Sequence, residues 1–241
     1  MSAIAVVTGA SGGIGRAVAK MIHAKSEGQL KLCLHCNGNP EAVKSLQAEM
    51  PGSFIVQADL AAEGGRKALL DAVLAQGAPY CLVNNAGIDK PHEPALTIEE
   101  SSYDKIMAVN LKAPLFLMRD FGREMARNES GVIVNLSSIL ARKSVVGSAV
   151  YAASKAALEA LTRQFAAELG PKGVRVAAVA PGFIETAMTS AIPDDRRAGI
   201  RKDVAMGQFG PPEAVAEAVW HIIDNQYLTG ALIAVDGGMN L

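Results

Sequence analysis

Val6-Val7-Thr8-Gly9-Ala10-Ser11-Gly12-Gly13-Ile14-Gly15-Arg16 sets a glycine-rich turn between a short apolar run and an amphipathic segment. Residues 3–8 read as a buried strand and residues 13–26 as a helix, so the turn links strand to helix. Glycine at such a turn permits positive φ and close approach of other backbone. The helix start beyond it offers unpaired N–H groups and a partial positive charge, which together suit a pyrophosphate. A tight turn with no ligand draws on the same properties, and the spacing Gly9-x-x-x-Gly13-x-Gly15 differs from G-x-G-x-x-G. The rest of the chain has to decide.

Outward from this turn, apolar or β-branched runs near 3–8, 30–36, 53–58, 80–84, 131–137, 174–180 and 231–235 alternate with helical patterns at 13–26, 40–50, 62–76, 98–127, 151–170 and 211–224. That alternation predicts an α/β fold: a single Rossmann-type doubly wound domain over 1–241, with a seven-stranded parallel sheet flanked by helices. The length of 241 residues and a hydrophobic share of 50% suffice for one large core. Pro114 is expected to kink the fourth helical segment because it lacks a backbone donor. Residues 185–208 are irregular and read either as a substrate lid or as an ordinary surface excursion.

Charge excludes some classes of partner. With 23 basic and 24 acidic residues, net −1, no broad basic field exists to attract nucleic acid or anionic lipid. The first residues lack a basic leader, and no apolar run suits a membrane span, so a cytoplasmic location is expected. Cys33, Cys36 and Cys81 make an odd count that suits a reducing compartment. Cys33 and Cys36 form a C-x-x-C, but residues three apart on a strand point to opposite faces, which argues against redox or metal chemistry. His23, His35, His92 and His221 form no ligand pattern, so no metal is expected.

Tyr151 and Lys155 stand at i and i+4 of a predicted helix and project from one face. Two unit charges about 5 Å apart at an effective dielectric near 20 interact by roughly 3 kcal/mol, or about two pKa units. The pairing therefore predicts a tyrosine lowered from about 10 toward about 8, where it can exchange protons near neutral pH. Taken alone, the pair also fits an aromatic side chain beside a surface lysine.

Three motifs occur together: Thr8 to Gly15 after the first strand, Asn84-Asn85-Ala86-Gly87 after the fourth, and Tyr151-Ala152-Ala153-Ser154-Lys155. In kind and order the chain resembles the short-chain dehydrogenase/reductase family. The resemblance extends through Asp59-Leu60, Asn110, Ser138, Pro181-Gly182 and Val235-Asp236-Gly237-Gly238.

The resemblance implies that Tyr151 protonates a carbonyl oxygen, that Lys155 holds the ribose and tunes Tyr151, and that Ser138 hydrogen-bonds the same oxygen. Asn110 would hold, through its backbone carbonyl, a water that connects the lysine to solvent. Of the adjacent Ser137 and Ser138, the family's spacing to the tyrosine selects Ser138. It implies a nicotinamide dinucleotide held by Gly9, Ser11, Gly13, Ile14, Gly15, Asn37, Asp59, Leu60, Asn85, Ala86, Gly87, Tyr151, Lys155, Pro181, Gly182, Ile184 and Thr186.

An acid at the end of the second strand would repel a 2′-phosphate, but Cys36 and Asn37 stand there, so NADP(H) is favoured over NAD(H). Asn37, Ser11 and backbone donors are its candidate contacts. Gly12 replaces an arginine carried by many NADPH-dependent relatives, and His35-Cys36-Asn37-Gly38-Asn39 supplies no positive neighbour apart from the histidine.

Within the family, Ala180 to Thr186 and Thr229 to Met239 look most like the 3-oxoacyl-[acyl-carrier-protein] reductases. That likeness implies a 3-oxoacyl thioester substrate, on acyl carrier protein or CoA, in fatty-acid or polyketide-like synthesis. Carrier docking in those enzymes uses basic residues near the pocket entrance. Lys172 falls at one such position, Glu129 falls at another, and Arg127 lies close. A sugar, a steroid-like alcohol or another small ketone is the alternative substrate; a non-catalytic dinucleotide sensor is the alternative class. Relatives are commonly homotetramers built on helices corresponding to 98–127 and 151–170.

Overall fold

A computed structural model describes residues 2–38, 40–90 and 93–241; Asn39 and His92, named above, lie outside the described residues. Seven strands, β1 (Ala3–Val7), β2 (Leu30–Cys36), β3 (Phe54–Gln57), β4 (Ala78–Asn84), β5 (Gly131–Leu136), β6 (Val174–Pro181) and β7 (Leu232–Val235), form one parallel sheet. Their order is β3-β2-β1-β4-β5-β6-β7. The alternation of strand and helix patterns therefore led to the right architecture. β5 is buried along its whole length, as suits a strand covered on both faces, and its polar side chain Asn135 is bonded to Asn84 and Thr162.

The helices are α1 (Gly13–Lys25), α2 (Glu41–Ala48), α3 (Glu63–Leu74), α4 (Glu100–Met107), α5 (Ala113–Arg127), α6 (Ala149–Leu169), α7 (Ala187–Ser190), α8 (Asp194–Asp203) and α9 (Pro212–Asp224). On one face of the sheet Val18, Ile22, Leu46, Val219 and Ile222 pack over Leu32, Leu34 and Val134. On the other, Leu69, Leu117, Phe121 and Leu158 pack over Ile4, Leu82 and Ile133. Each large apolar side chain so enclosed contributes on the order of 1.5–3 kcal/mol.

The C-x-x-C divides between these two cores: Cys33 packs into the second and Cys36 into the first. Burial raises the pKa of all three thiols, Cys81 to about 12. Among the described residues no group of three or more His, Cys, Asp or Glu could hold a metal, and no helix is long and apolar enough to cross a membrane.

The long segment 98–127 is broken. Between α4 and α5, Ala108–Lys112 form a widened π-helical turn in which Ala113 N–H donates to the Ala108 carbonyl. Pro114 stands at the start of α5 and has no N–H to offer the carbonyl of Asn110 four residues back, so the regular ladder cannot run through. The expected kink is therefore a wide turn, and it carries Asn110 into the interior.

After β3 the chain crosses β1 to add β4 on its other side. At such a reversal the loops leaving adjacent strand ends diverge and open a crevice, the usual ligand site of a doubly wound sheet. Here those loops are the glycine turn after β1 and Asn85–Gly87 after β4.

Candidate active site

Hydrogen bonds lock the two loops together. Thr8 Oγ1 donates to the Val83 carbonyl at 3.1 Å and accepts from the N–H groups of Asn85 and Ala86, each at 3.0 Å. Asn85 Nδ2 donates to the carbonyls of Thr8 (2.8 Å) and Gly9 (3.1 Å). Gly9 lies at φ 66°, in the left-handed region. A Cβ on Gly15 would stand 2.3 Å from the Gly9 carbonyl oxygen, so only glycine permits that approach. Gly12 precedes α1 with extended backbone, and no side chain caps the helix, while Ser11 and Gly13 are exposed. This leaves first-turn N–H groups available to an anion.

The remaining expected cofactor residues divide in two. Ile14 is half-buried beside the turn, and Thr186 on the segment after β6 reaches back to it: a Cβ on Gly13 would meet Thr186 Cγ2 at 2.8 Å. Pro181 ends β6, Gly182 N–H donates to the Val235 carbonyl at 2.9 Å, and Ile184 is buried. Asn37 is exposed, with Gln57 Nε2 bonded to its carbonyl and to that of Gly38. Asp59 is exposed and accepts from Ala61 N–H at 3.0 Å. Leu60, by contrast, buries its side chain in the core and gives its carbonyl to Arg66 at 2.7 Å, which leaves only its N–H for the cleft. Arg16, the cation that follows the turn, is engaged by Glu49 at 2.7 Å.

Tyr151, Lys155, Ser138 and Asn110 converge at the C-terminal ends of β4 and β5. Tyr151 lies in the first turn of α6, where the Ser138 hydroxyl favours its ionised form. Ser138 also accepts from Leu140 N–H at 3.2 Å, which fixes its hydroxyl at the strand exit. Its neighbour Ser137 turns away and donates to Glu159 Oε1 at 2.9 Å. Lys155 is buried, with Nζ 2.7 Å from the Leu136 carbonyl and 5.6 Å from the Tyr151 ring centre. Gly87 separates the lysine from Asn110: a Cβ there would lie 3.4 Å from Asn110 Oδ1 and 3.5 Å from Lys155 Nζ. Asn110 holds Ile88 by both backbone groups, at 2.8 Å each, and donates to Ser154 Oγ at 3.3 Å.

The electrostatics correct one expectation. Tyr151 is not lowered by Lys155: burial pushes it up to about 12, the Ser138 hydrogen bond opposes that rise, and the Asp89 carboxylate adds to it. Burial also brings Lys155 down to about 8, against the pull of Asp89. The pairwise Coulomb argument omitted desolvation, which here outweighs it for both groups.

Spacing could not reveal Asp89, which enters the site because Asn110 anchors the preceding Ile88. Glu159, buried and shared by Ser137 and Arg142 (3.2 Å), was missed as well. Its signal was the helical position four after Lys155.

A groove of about 510 Å³ runs between the loop Leu140–Ser148 and the alanines Ala149, Ala152, Ala153 and Ala156 of α6, on the face of that helix turned away from Tyr151 and Lys155. Arg142 and Lys143 line it, and Val146 is 83% exposed. The basic position expected at the entrance is elsewhere: Lys172 lies beyond the far end of α6, and Arg127, bound to Glu124 at 2.6 Å, ends α5. Within one chain both stand at the sheet edge where β5 and β6 begin, opposite Tyr151. Residues 185–208 form α7 and α8, tied down by Arg197, which contacts Glu185, the Thr189 carbonyl and the Phe209 ring. A small apolar cluster of Ile139, Val204 and Met239 joins this segment to the loop after Ser138 and to the C-terminal residues.

Residues 9–240 match the family model described as Enoyl-(Acyl carrier protein) reductase. Among similar proteins, the 3-oxoacyl-[acyl-carrier-protein] reductase FabG of Rickettsia felis is 34% identical over 239 residues, covering 97% of this chain and 95% of that protein. The enzyme of the same name from Staphylococcus aureus strain Mu50 is 34% identical over 246 residues, 99% of this chain and 98% of its own length. That of Staphylococcus epidermidis is 35% identical over 245 residues, 99% of both chains. With the motifs assembled around one cleft and relatives matching end to end, the chain belongs to the short-chain dehydrogenase/reductase family.

Proposed function

We propose that this oxidoreductase acts as one dinucleotide-binding and catalytic domain that reduces a 3-oxoacyl thioester, carried on acyl carrier protein or CoA, to the 3-hydroxyacyl thioester with NADPH. The observation that carries the reading is the convergence of Tyr151 and Lys155 of α6 on Ser138 at the exit of β5, with Lys155 Nζ 5.6 Å from the Tyr151 ring centre and bonded to the Leu136 carbonyl at 2.7 Å. Two hydroxyls so placed suit a carbonyl oxygen. The relatives' names support this substrate. The matched model's description names an enoyl-(acyl carrier protein) reductase, and conjugate reduction of an enoyl thioester would also develop charge on a carbonyl oxygen, so the relatives' names carry the choice of the 3-oxo substrate.

The cradle fits a nicotinamide dinucleotide: uncapped N–H groups at α1, a left-handed Gly9, and a Gly15 position that a Cβ would fill. Gly9, Ser11, Gly13, Ile14 and Gly15 would hold its pyrophosphate, and Asp59 with the Leu60 N–H its adenine. Asn85, Ala86, Gly87, Pro181, Gly182, Ile184 and Thr186 would enclose the nicotinamide side. Asn37 and Ser11 would meet a 2′-phosphate where no carboxylate repels it. When bound, the dinucleotide supplies the hydride that attacks the keto carbon.

The chain's own residues handle the proton. Ser138 orients the carbonyl oxygen and stabilises the charge it gains, while Tyr151 donates its phenolic proton to that oxygen. Lys155 stabilises the phenolate left behind and exchanges protons at a pKa near 8. Asn110, in the widened turn, holds Ile88 in place and offers its backbone carbonyl to a water that reconnects the lysine to solvent. Residues 185–208 cover the substrate, and α4 with α5 and α6 supply the contacts of a homotetramer in the cytoplasm.

The test is a panel of acetoacetyl-CoA, a 3-oxoacyl carrier-protein thioester, a crotonyl thioester, sugars and steroid ketones, each with NADPH and NADH. Turnover of the oxo thioesters with NADPH is expected. Activity confined to the crotonyl thioester or to sugars would overturn the reading. Binding of dinucleotide with no turnover of anything, unchanged by Tyr151→Phe, would identify a sensor instead.

A further inference from the structure

His35 is a buried titratable group that this mechanism leaves without a task. It stands on β2 opposite Val56 of β3 and is 1% exposed. Its two ring nitrogens reach different loops: Nδ1 accepts from the Gly9 N–H at 3.2 Å, and Nε2 lies 2.9 Å from the Ala58 carbonyl oxygen. An amide N–H can only donate and a carbonyl can only accept. One form of the ring satisfies both, the neutral imidazole with its proton on Nε2. Burial favours that form by lowering the histidine's pKa, against the opposing pulls of the Ala58 carbonyl and Asp59.

The backbone reinforces the same junction. The His35 carbonyl accepts from Ala10 N–H at 2.9 Å, and Ala58 N–H donates to the Cys36 carbonyl at 3.0 Å. Gly9 opens the glycine turn, and its carbonyl in turn accepts from Gly12 N–H at 3.2 Å. Ala58 directly precedes Asp59. A single imidazole thus ties the turn assigned to the pyrophosphate to the wall assigned to the adenine.

We propose that His35 is a positioning residue of the dinucleotide cleft: while neutral it sets the spacing of the two walls, and its protonation loosens both and gives dinucleotide binding an acid-sensitive limb. A second ring proton would point Nδ1–H at the Gly9 N–H, donor against donor. The residues from Thr8 to Gly12 bring no ionisable side chain to this junction. Asp59 at the exit of β3 favours the charged ring. On α3, Arg66 is held by the carbonyls of Leu60 and Ala61 at 2.7 and 2.9 Å. Cys33, on the same side of β2, is kept a neutral thiol by burial.

The inference rests on the dinucleotide reading, and its test separates the two. Calorimetric titrations of NADP⁺ and NAD⁺ into the wild type, His35→Asn and His35→Leu between pH 5 and 8 measure affinity without turnover. His35→Asn keeps an acceptor for Gly9 and cannot titrate, whereas His35→Leu removes both contacts. Near pH 7.5, His35→Leu is expected to bind about tenfold more weakly, the worth of a lost buried hydrogen bond, and His35→Asn within roughly threefold of wild type.

On acidification the wild type should lose affinity relative to His35→Asn, a ratio from which the titration of the dinucleotide's own phosphate cancels. A ratio constant over the whole range overturns the proposal, and so does normal binding by His35→Leu. Wild type that binds neither dinucleotide overturns the underlying reading as well. If His35→Leu does not fold, nitrogen NMR of the wild-type ring still decides: an Nε2-protonated neutral ring at pH 7 supports the proposal, and a charged ring refutes it.

Discussion

Lys155 Nζ donates to the Leu136 carbonyl at 2.7 Å, so the lysine that shares a helix face with Tyr151 is anchored to the end of β5 rather than to the phenol. Strand and helix are fixed together at the point where the proposed mechanism transfers its proton. The anchorage keeps the amine within reach of the tyrosine without neutralising it.

Tyr151→Phe should remove the proton donor and leave the fold intact, because the phenol's partner Ser138 keeps its bond from Leu140. We expect kcat to fall by about 10²–10⁴, the usual worth of a positioned acid, with dinucleotide affinity little changed. Steady-state kinetics beside a binding titration check this. A loss of affinity as large as the loss of rate would count against the assignment.

Lys155 gives stability a specific pH dependence. Its folded pKa, about 8, lies below its unfolded value of 10.5, so between these limits the unfolded chain binds the extra proton. Burying the charged amine therefore opposes folding fully below pH 8, and that penalty fades as pH rises toward 10.5. Lys155→Met lacks the penalty, so its thermal stability relative to wild type should be greatest at pH 7 and decline by pH 10. Tyr151, raised to about 12, acts with the opposite sign and only above pH 10, where its unfolded form begins to ionise. Parallel melting curves for the two proteins from pH 7 to 10 would refute this account.

Asn110→Ala should cost about 2–3 kcal/mol in urea unfolding, because it strands the buried N–H and carbonyl of Ile88 together. Asn110→Asp retains the acceptor but sets a carboxylate against the Ile88 carbonyl and should recover little of the loss. A change below 0.5 kcal/mol for the alanine variant would mean that the clamp contributes little.

Gly15→Ala and Gly12→Ala should behave oppositely. At Gly15 the new methyl would collide with the Gly9 carbonyl and with Asn85 Nδ2, at 2.3 and 2.6 Å, and the turn must open. At Gly12 the nearest atom is 3.6 Å away and φ is −80°, which alanine adopts freely. Differential scanning calorimetry should show a clear drop in melting temperature for the first and almost none for the second. Equal drops would show that the turn is not packed in this way.

How much of this was legible in the sequence depended on whether the information was local. Strand and helix periodicities located all seven strands, since each depends only on its own alternation or apolar run. Tyr151 and Lys155 were legible as neighbours because helical geometry alone places i beside i+4. The state of their protons was not, because desolvation is set by side chains from distant segments. Asp89 and Glu159 were hidden for the same reason: their roles follow from Asn110 holding Ile88 and from Ser137 turning away from Ser138. Pro114 did announce a break, but whether the backbone would bend or widen depended on what Asn110 could bond once inside.

Cys33, Cys36 and Cys81 are all buried, all with raised pKa, and the first two lie on opposite sides of the sheet. To a thiol reagent at neutral pH the native surface is therefore blank. A single cysteine placed on α8 or on the loop at Val146 would take a spectroscopic label with no background from the native thiols, so movements of those segments can be followed in the otherwise unaltered chain.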